Sequence, residues 1–307
     1  MPHDHHHGHG HHHVDPAAGD ARVAMAVGVN LALTVAQVIG GIFSGSLALI
    51  ADALHNLSDA MALVIAFAAR KIARRPADEA MTFGYARAEV VAALINYTTL
   101  IVLGLFLVYE AVMRFFAPEP VAGWTVVIVA GIALAIDLAT AALTYSMSKD
   151  SVNIRAAFVH NVADAAGSVA VIVAGSLVIL FDWWIVDPLV TLGIAGYMLW
   201  MSFAEIGGVI RILMLGAPPQ MDASQVLATV RATEGVAGVH HAHLWLMDEK
   251  GASLDMHVVV QEGAWERADS IKLDLRQRLK DAHGIGHGMI ELESAGHACR
   301  GARLWGH

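Results

Sequence analysis

Cysteine is almost absent from this chain, charge is scarce, and its start has no cationic stretch before an apolar core. One thiol, Cys299, in 307 residues rules out an internal disulfide framework, and a cluster of cysteine ligands with it. Charged residues make up 15% of the sequence, where a soluble domain carries about 25%. With 56% apolar residues and a mean hydropathy of +0.56, much of the chain is expected in a lipid bilayer. The formal charge of −9 argues against a nucleic-acid partner, which asks for a basic face. The first residues also lack the pattern of a signal peptide. They hold histidine instead, eight between Met1 and His13. An engineered tag is one reading. Interruption by Asp4, Gly8 and Gly10 fits a metal-collecting tail better, so residues 1–20 are expected to be a disordered cytoplasmic arm.

A membrane span needs about 20 mostly apolar residues, and six segments qualify: Val23–Phe43, Leu47–Ala69, Val90–Phe115, Val121–Tyr145, Ile154–Leu180 and Trp184–Ile210. Turn residues separate them, among them Ser44-Gly45-Ser46 and Pro118-Glu119-Pro120. Lipid cannot satisfy an open backbone, so an all-α six-helix bundle follows over residues 21–213. Arg70, Lys71, Arg74, Arg75 and Arg87 crowd the connection between spans two and three, and Lys149 and Arg155 mark that between four and five. The odd connections one–two and five–six carry no Lys or Arg. The positive-inside rule then puts both termini and the even loops in the cytoplasm, at an inner (plasma) membrane, with Arg114 as the dissenter.

Beyond Pro218-Pro219 the pattern changes. Asp222–Thr233 has helical spacing, Val236–Met247 and Ala252–Val260 read as strands, and residues 264–283 form an amphipathic helix with Ile271, Leu275 and Leu279 on one stripe. Met289–Glu293 would be a third strand. This αββαβ order predicts a small ferredoxin-like α+β domain over 217–295, followed by a tail, 296–307. Its size is near the lower limit for independent folding, which favours dimerisation.

The chemistry sits in two matching segments. Span two reads His55-Asn56-Leu57-Ser58-Asp59 and span five His160-Asn161-Val162-Ala163-Asp164. Each sets His and Asp at i and i+4, one turn apart on one helix face. Ionisable groups in lipid are costly and normally face a pathway and a partner. One such pair is more often a structural hydrogen bond. Two pairs offer two imidazole nitrogens and two carboxylates, a tetrahedral set suited to Zn²⁺. Two carboxylates and Zn²⁺ sum to zero charge, and without metal the same groups favour protons. Asn56 and Asn161 stand next to the ligand histidines, placed either to orient them or to hydrogen-bond within the bundle. Asp137, alone in span four, reads as a proton relay or as a partner of Asn30, Gln37 or a backbone group. Asp52 reads as helix packing or a gate.

On Ser46–Ala53, both HxxxD motifs, Thr82–Glu89, the His-rich start and the C-terminal domain, the sequence resembles the cation diffusion facilitator family of zinc transporters. The resemblance implies a dimeric, proton-coupled exporter of divalent metal with its transport site at His55, Asp59, His160 and Asp164. It also implies a regulatory zinc site in the cytoplasmic domain, best matched by His240, His257 and Glu291. Two departures stand out. A second loop site known in the family would fall on Asp78, Met81 and Tyr85, which is a poor ligand set. A cytoplasmic salt bridge would fall on Arg87 and Leu215, which cannot pair by charge.

Two other classes fit the sequence less well. A membrane zinc hydrolase needs an open coordination position and a general base; no HExxH is present and four ligands close the shell. A zinc-gated receptor would ask for an output motif in the C-terminal domain, and none is recognisable. The topology yields a direct test. Cysteines introduced in the Ser44–Ser46 and Asp182–Trp183 turns should react with an impermeant thiol reagent from outside; outside labelling near Arg74 or Lys149 would reverse the orientation.

Overall fold

The computed structural model describes residues 16–145, 152–248, 251–299 and 301–306, so the histidine-rich start lies outside the described residues. Six long helices come first: α1 (Pro16–Ser44), α2 (Leu47–Ala73), α3 (Ala88–Phe116), α4 (Gly123–Tyr145), α5 (Val152–Phe181) and α6 (Val186–Leu213). Helices α2 to α6 each contain a stretch long and apolar enough to cross a membrane, and in α1 the apolar stretch is Leu31–Ser44. At 1.5 Å per residue the 27 residues of α2 extend about 40 Å, enough for a hydrocarbon core of about 30 Å. The protein is therefore a multi-pass membrane protein. Helix α1 begins at Pro16, ahead of the span expected from Val23.

The chain divides into two compact units. The first holds Met1–Leu63 and Thr99–Trp200. Its apolar centre includes Leu49 of α2, Val126 and Ala130 of α4, and Val171 and Val178 of α5. Helices α4 and α5 approach closely because Gly175 is small: a Cβ there would lie 3.0 Å from both Val126 and Val127 side chains. The α1–α2 turn depends on Gly45, whose φ is +71° and where a Cβ would sit 2.8 Å from the Pro120 carbonyl oxygen.

The start of α2, the helix that carries the first HxxxD, is capped from a distant element. A helix N-terminus leaves several N–H groups without intrahelical partners. Here Asp187, in the first turn of α6 and 1% exposed, accepts from the Leu47 N–H at 2.7 Å and from the Ser46 hydroxyl at 2.5 Å. Arg114 lies 3.8 Å from Asp187, pairs with Glu119 at 3.3 Å, and donates to the Gly45 carbonyl. Arg114 is thus tied to carboxylates and a carbonyl, which accounts for a cation on the side the positive-inside rule leaves nearly bare.

The second unit holds Val64–Thr98 and Met201–His307. It contains α7 (Ala223–Arg231), β1 (Val236–Leu246), β2 (Ala252–Val260), α8 (Ala268–His283) and β3 (Ile290–Ser294), the expected αββαβ order. Asp222 caps α7 by accepting from the Ser224 N–H at 2.8 Å. Helix α8 starts at Ala268, after a 3₁₀ turn over Trp265–Arg267, and ends on Gly284 at φ +67°. The sheet order is β1-β2-β3, with β1–β2 antiparallel and β2–β3 parallel. One face of the sheet packs Leu254, Met256, Val258 and Val260 with Val226 and Val230 of α7 and Ile271, Leu275 and Leu279 of α8.

Two further contacts shape this unit. The segment after β3 returns along the free edge of β1: the His241 and Ala242 N–H groups donate to the Arg303 and Leu304 carbonyls at 3.0 and 2.9 Å. That edge is then covered rather than left open. Arg87, expected at a salt-bridge position, donates to the Met247 and Leu246 carbonyls at 3.0 and 3.3 Å, with its guanidinium 5.5 Å from the Trp245 ring centre. Arg87 is thus bonded to backbone carbonyls, where the family pattern would have a side-chain carboxylate at Leu215.

Removing the remote cap should therefore be felt in stability. Asp187→Ala leaves the Leu47 N–H and Ser46 hydroxyl unsatisfied and should cost about 1–3 kcal/mol, read as a lower thermal midpoint of the detergent-purified protein. An unchanged midpoint would show that the cap contributes nothing.

Candidate metal centre

His55 and Asp59 sit one turn apart on α2, and Asp164 faces them from α5. His55 Nε2 lies 3.7 Å from Asp59 Oδ2 and 3.5 Å from Asp164 Oδ1. A donor atom from each of the three lies within 4.8 Å of the others. His55 is 6% and Asp164 9% exposed, and the Asp59 side chain 21%. In a zinc tetrahedron with bonds of about 2.0–2.2 Å, ligand atoms stand about 3.3–3.5 Å apart, so a small contraction would seat an ion. His160 occupies the helical position one turn before Asp164, but its side chain lies outside the described residues. Three of the four ligands expected from the sequence are thus brought together by geometry, and the fourth is placed by its backbone alone.

Behind this group runs a chain of polar side chains that the motif does not show. Gln37 of α1 donates to Asp52 at 2.6 Å and accepts from Asn56 at 3.2 Å. Asn56 therefore makes its bond to α1, the bundle role expected as an alternative to orienting His55. Asp52 is neither exposed nor isolated: it is 3% exposed and held by Gln37. Gly167 of α5 leaves room for it, since a Cβ there would come within 3.3 Å of Asp52 Oδ1. Asp137 accepts from Ser168 at 3.2 Å, while Gln37 uses its amide on Asp52 and Asn56. Asp137, read from the sequence as a proton relay or a partner of Asn30, Gln37 or a backbone group, thus has Ser168 of the facing helix α5 as a hydrogen-bond partner. Asn161 lies half-buried on α5. The Tyr197 ring of α6 meets His55 edge-on, centroids 6.3 Å apart.

In the loop between α2 and α3, Asp78 accepts from the Tyr85 hydroxyl and the Ala80 and Met81 N–H groups at 2.8–2.9 Å. The Tyr85 bond is the main cause holding its carboxyl below the usual range, and the same bond pushes the Tyr85 phenol up. The carboxylate is occupied by its own loop.

The cytoplasmic-domain residues fall in a row across the sheet. His240 pairs in register with His257, and His257 with Glu291. Such partners share a face. His257 lies 3.3 Å from Glu291 through Nε2 and 2.7 Å from Glu293 through Nδ1, and His240 Nε2 lies 3.2 Å from Glu293. Glu293, a candidate on the predicted strand outside the best family matches His240, His257 and Glu291, stands two residues after Glu291 and contacts both histidines. Burial pushes its carboxyl up, but bonds from His257 and Cys299 outweigh this and bring it down to about 2. Asp187 is the residue the sequence reading missed, and no local pattern connects it with α2, 140 residues away.

Comparison with known proteins gives a consistent result over nearly the whole chain. Residues 23–214 match the cation efflux transmembrane domain, and residues 218–295 the cytoplasmic domain of cation efflux proteins. A cadmium, cobalt and zinc/H(+)-K(+) antiporter of Bacillus subtilis is 35% identical over 266 residues, 86% of this chain and 85% of that protein. The zinc transporter ZitB of Escherichia coli is 32% identical over 295 residues, 95% and 93% of the two chains. Among solved structures, the metal-bound C-terminal domain of the CzcD transporter from Cupriavidus metallidurans matches 24% of this chain and 99% of its own at 33% identity, with a TM-score of 0.23.

The depressed Glu293 carboxyl sets a pH dependence. A group whose folded value lies below its ordinary 4.5 stabilises the fold above that pH and loses this contribution as pH falls toward about 2. In metal-free protein, Glu293→Gln should flatten the acid side of the stability profile relative to the parent, read by thermal melts from neutral pH downward. Identical acid profiles would remove the assignment.

Proposed function

This chain belongs to the cation efflux family, and on that premise we propose that it exports Zn²⁺ from the cytoplasm in exchange for protons. The carrying observation is the His55 ring set between Asp59 of its own helix and Asp164 of α5, 3.7 and 3.5 Å away. The transport site is His55, Asp59, His160 and Asp164, with zinc as the cargo. Relatives named as zinc transporters and as a cadmium, cobalt and zinc antiporter support this metal class. An N₂O₂ donor set suits Zn²⁺ and admits Co²⁺ and Cd²⁺.

Proton coupling follows from the ligands. Zinc needs unprotonated imidazole and carboxylate, so metal and proton compete for the same groups. Release of metal outside leaves a site that takes up protons and returns inward with them. Asp137, bonded to Ser168, is a candidate for proton access but not for holding metal. The chain acts as a homodimer, its cytoplasmic domain responding to zinc through His240, His257 and Glu291. The domain limits are 1–20 for the cytoplasmic tail, whose last residues already belong to α1 from Pro16, 21–213 for the membrane bundle, 217–295 for the α+β domain and 296–307 for the end segment, with both termini in the cytoplasm and the bundle in the inner membrane. A hydrolase or a receptor has no comparable geometric support, since four ligands leave no open coordination position for water.

Purified protein in vesicles loaded with a pH dye tests the mechanism. Zinc movement should be matched by opposite proton movement, and apparent zinc affinity should fall as pH drops through the histidine range near ~6.5. Asp59→Ala and Asp164→Ala should abolish flux while the protein stays folded. Full flux in Asp164→Ala would remove the site. Zinc flux that ignores a pH gradient but follows a potassium gradient would change the counter-ion.

A further inference from the structure

Helices α2 and α3 turn small residues toward each other near their connecting loop. On α2, Ile65, Ala68, Ala69 and Ile72 stand at i, i+3, i+4 and i+7. On α3, Ala88, Val91, Ala92 and Ile95 repeat the same spacing. Each set is one stripe of its helix, and with the loop the two stripes line an apolar slot of about 620 Å³, wholly within the second unit. Ala69 and Ala92 are buried, while Ile72, Val91 and Ile95 stay exposed. Larger side chains in place of the four alanines would fill the slot.

The loop at its polar end is fixed in shape. Asp78 accepts from the Tyr85 hydroxyl and the Ala80 and Met81 N–H groups, the Gly84 N–H donates to the Met81 carbonyl at 2.8 Å, and Gly84 takes φ +75°. The turn sets Met81 and Phe83 on the rim, 45% and 73% exposed. Large apolar side chains gathered at one exposed place mark a contact surface, and here the surface adjoins two membrane spans.

Cationic side chains flank one side of the slot. Lys71 follows Ala68 by three residues and Arg75 follows Ile72 by three, so each is a surface neighbour of a slot residue. The Arg75 N–H donates to the Ile72 carbonyl at 2.9 Å, which carries the helical turn to that point. The Asp78 bond pushes the Tyr85 phenol up and the Arg75 charge opposes this, which puts Arg75 near the rim that Tyr85 forms. Arg70 and Arg74 face elsewhere and line a separate hollow of about 390 Å³ with Glu89 and Asp248. Among the described residues no carboxylate forms an ion pair with Lys71 or Arg75.

We propose that this slot binds a diacyl phospholipid with an anionic headgroup, an acyl chain lying between α2 and α3 and the phosphate region held by Lys71 and Arg75. A cluster of cations just beyond a span attracts anionic lipid. An acyl chain gains little from apolar protein over other lipid, so preference comes from headgroup charge and from filling the space that the alanines leave. A soluble anion would use the cations without the slot, and a neutral lipid the slot without the cations. Anionic lipid uses both.

Native mass spectrometry of full-length protein, delipidated in detergent and given phosphatidylglycerol or phosphatidylcholine with identical chains, tests the site. The first phosphatidylglycerol should bind about tenfold more tightly than the first phosphatidylcholine, the scale expected of two cations at a membrane surface. Lys71→Gln/Arg75→Gln should abolish the difference, and Arg70→Gln/Arg74→Gln should keep it. Ala68→Phe puts a ring in the slot and should weaken both lipids. Met81→Trp leaves the slot open and gives a second readout: phosphatidylglycerol brominated on its chains should quench the added emission more strongly than brominated phosphatidylcholine. Equal binding of the two lipids by the parent, or a preference that follows Arg70 and Arg74, would overturn the proposal. So would displacement of the lipid by an equal concentration of glycerol phosphate, which would mark a site for a soluble anion. If Ala68→Phe leaves lipid binding unchanged, the chain does not lie in the slot; conversion of dimer to monomer by the same variant would then give the slot to a second copy of this chain.

Discussion

The proposed transport chemistry depends on two carboxylates, on two different helices, that flank one imidazole. Asp59 and Asp164 flank the His55 ring inside an apolar bundle. Charge in such a medium is tolerated only when compensated, because water cannot screen it. Two carboxylates ask for two positive charges, and a divalent ion supplies both at once. Protons supply them in another way. A site of this composition has two low-cost occupants that exclude one another, and the proposed antiport rests on exchange between them.

Holding the two carboxylates at the right separation falls to the surrounding contacts. Asp187 fixes the start of α2 from α6, and Arg114 steadies Asp187. Gln37 anchors Asp52 and Asn56, one on each side of His55 in the α2 sequence, to α1. Small residues at Gly167 and Gly175 let α5 come close to Asp52 and to α4. Each contact ties a ligand-bearing helix to a neighbour by a directional bond or by close packing. In a bilayer these are the available means of specifying helix position, since lipid tails give apolar side chains little reason to prefer protein.

The cytoplasmic domain solves a similar problem with a sheet. In-register pairing puts His240, His257 and Glu291 in one row, and Glu293 follows Glu291 on the same face. The regular ladder alone would give that row and no more. The segment after β3 then closes the free edge of β1 through the His241 and Ala242 N–H groups.

What the sequence determined by itself is whatever has a period or a repeat. Six apolar segments, the αββαβ order and the duplicated HxxxD are patterns along one chain, and helical spacing alone places His55 with Asp59 and His160 with Asp164. The family resemblance added the row His240, His257 and Glu291. Tertiary structure decided the pairings between distant segments. Asp187 with the Leu47 N–H, Arg87 with the Leu246 and Met247 carbonyls, and Ser168 with Asp137 have no sequence signature, because a hydrogen bond depends on where two elements meet in space. The slot between α2 and α3 is the sharpest case. Spacing along the chain sets Lys71 beside Ala68 and Arg75 beside Ile72. An apolar hollow exists only between two surfaces, however, and it was the approach of Ala88 and Ala92 of α3 to that stripe that made one.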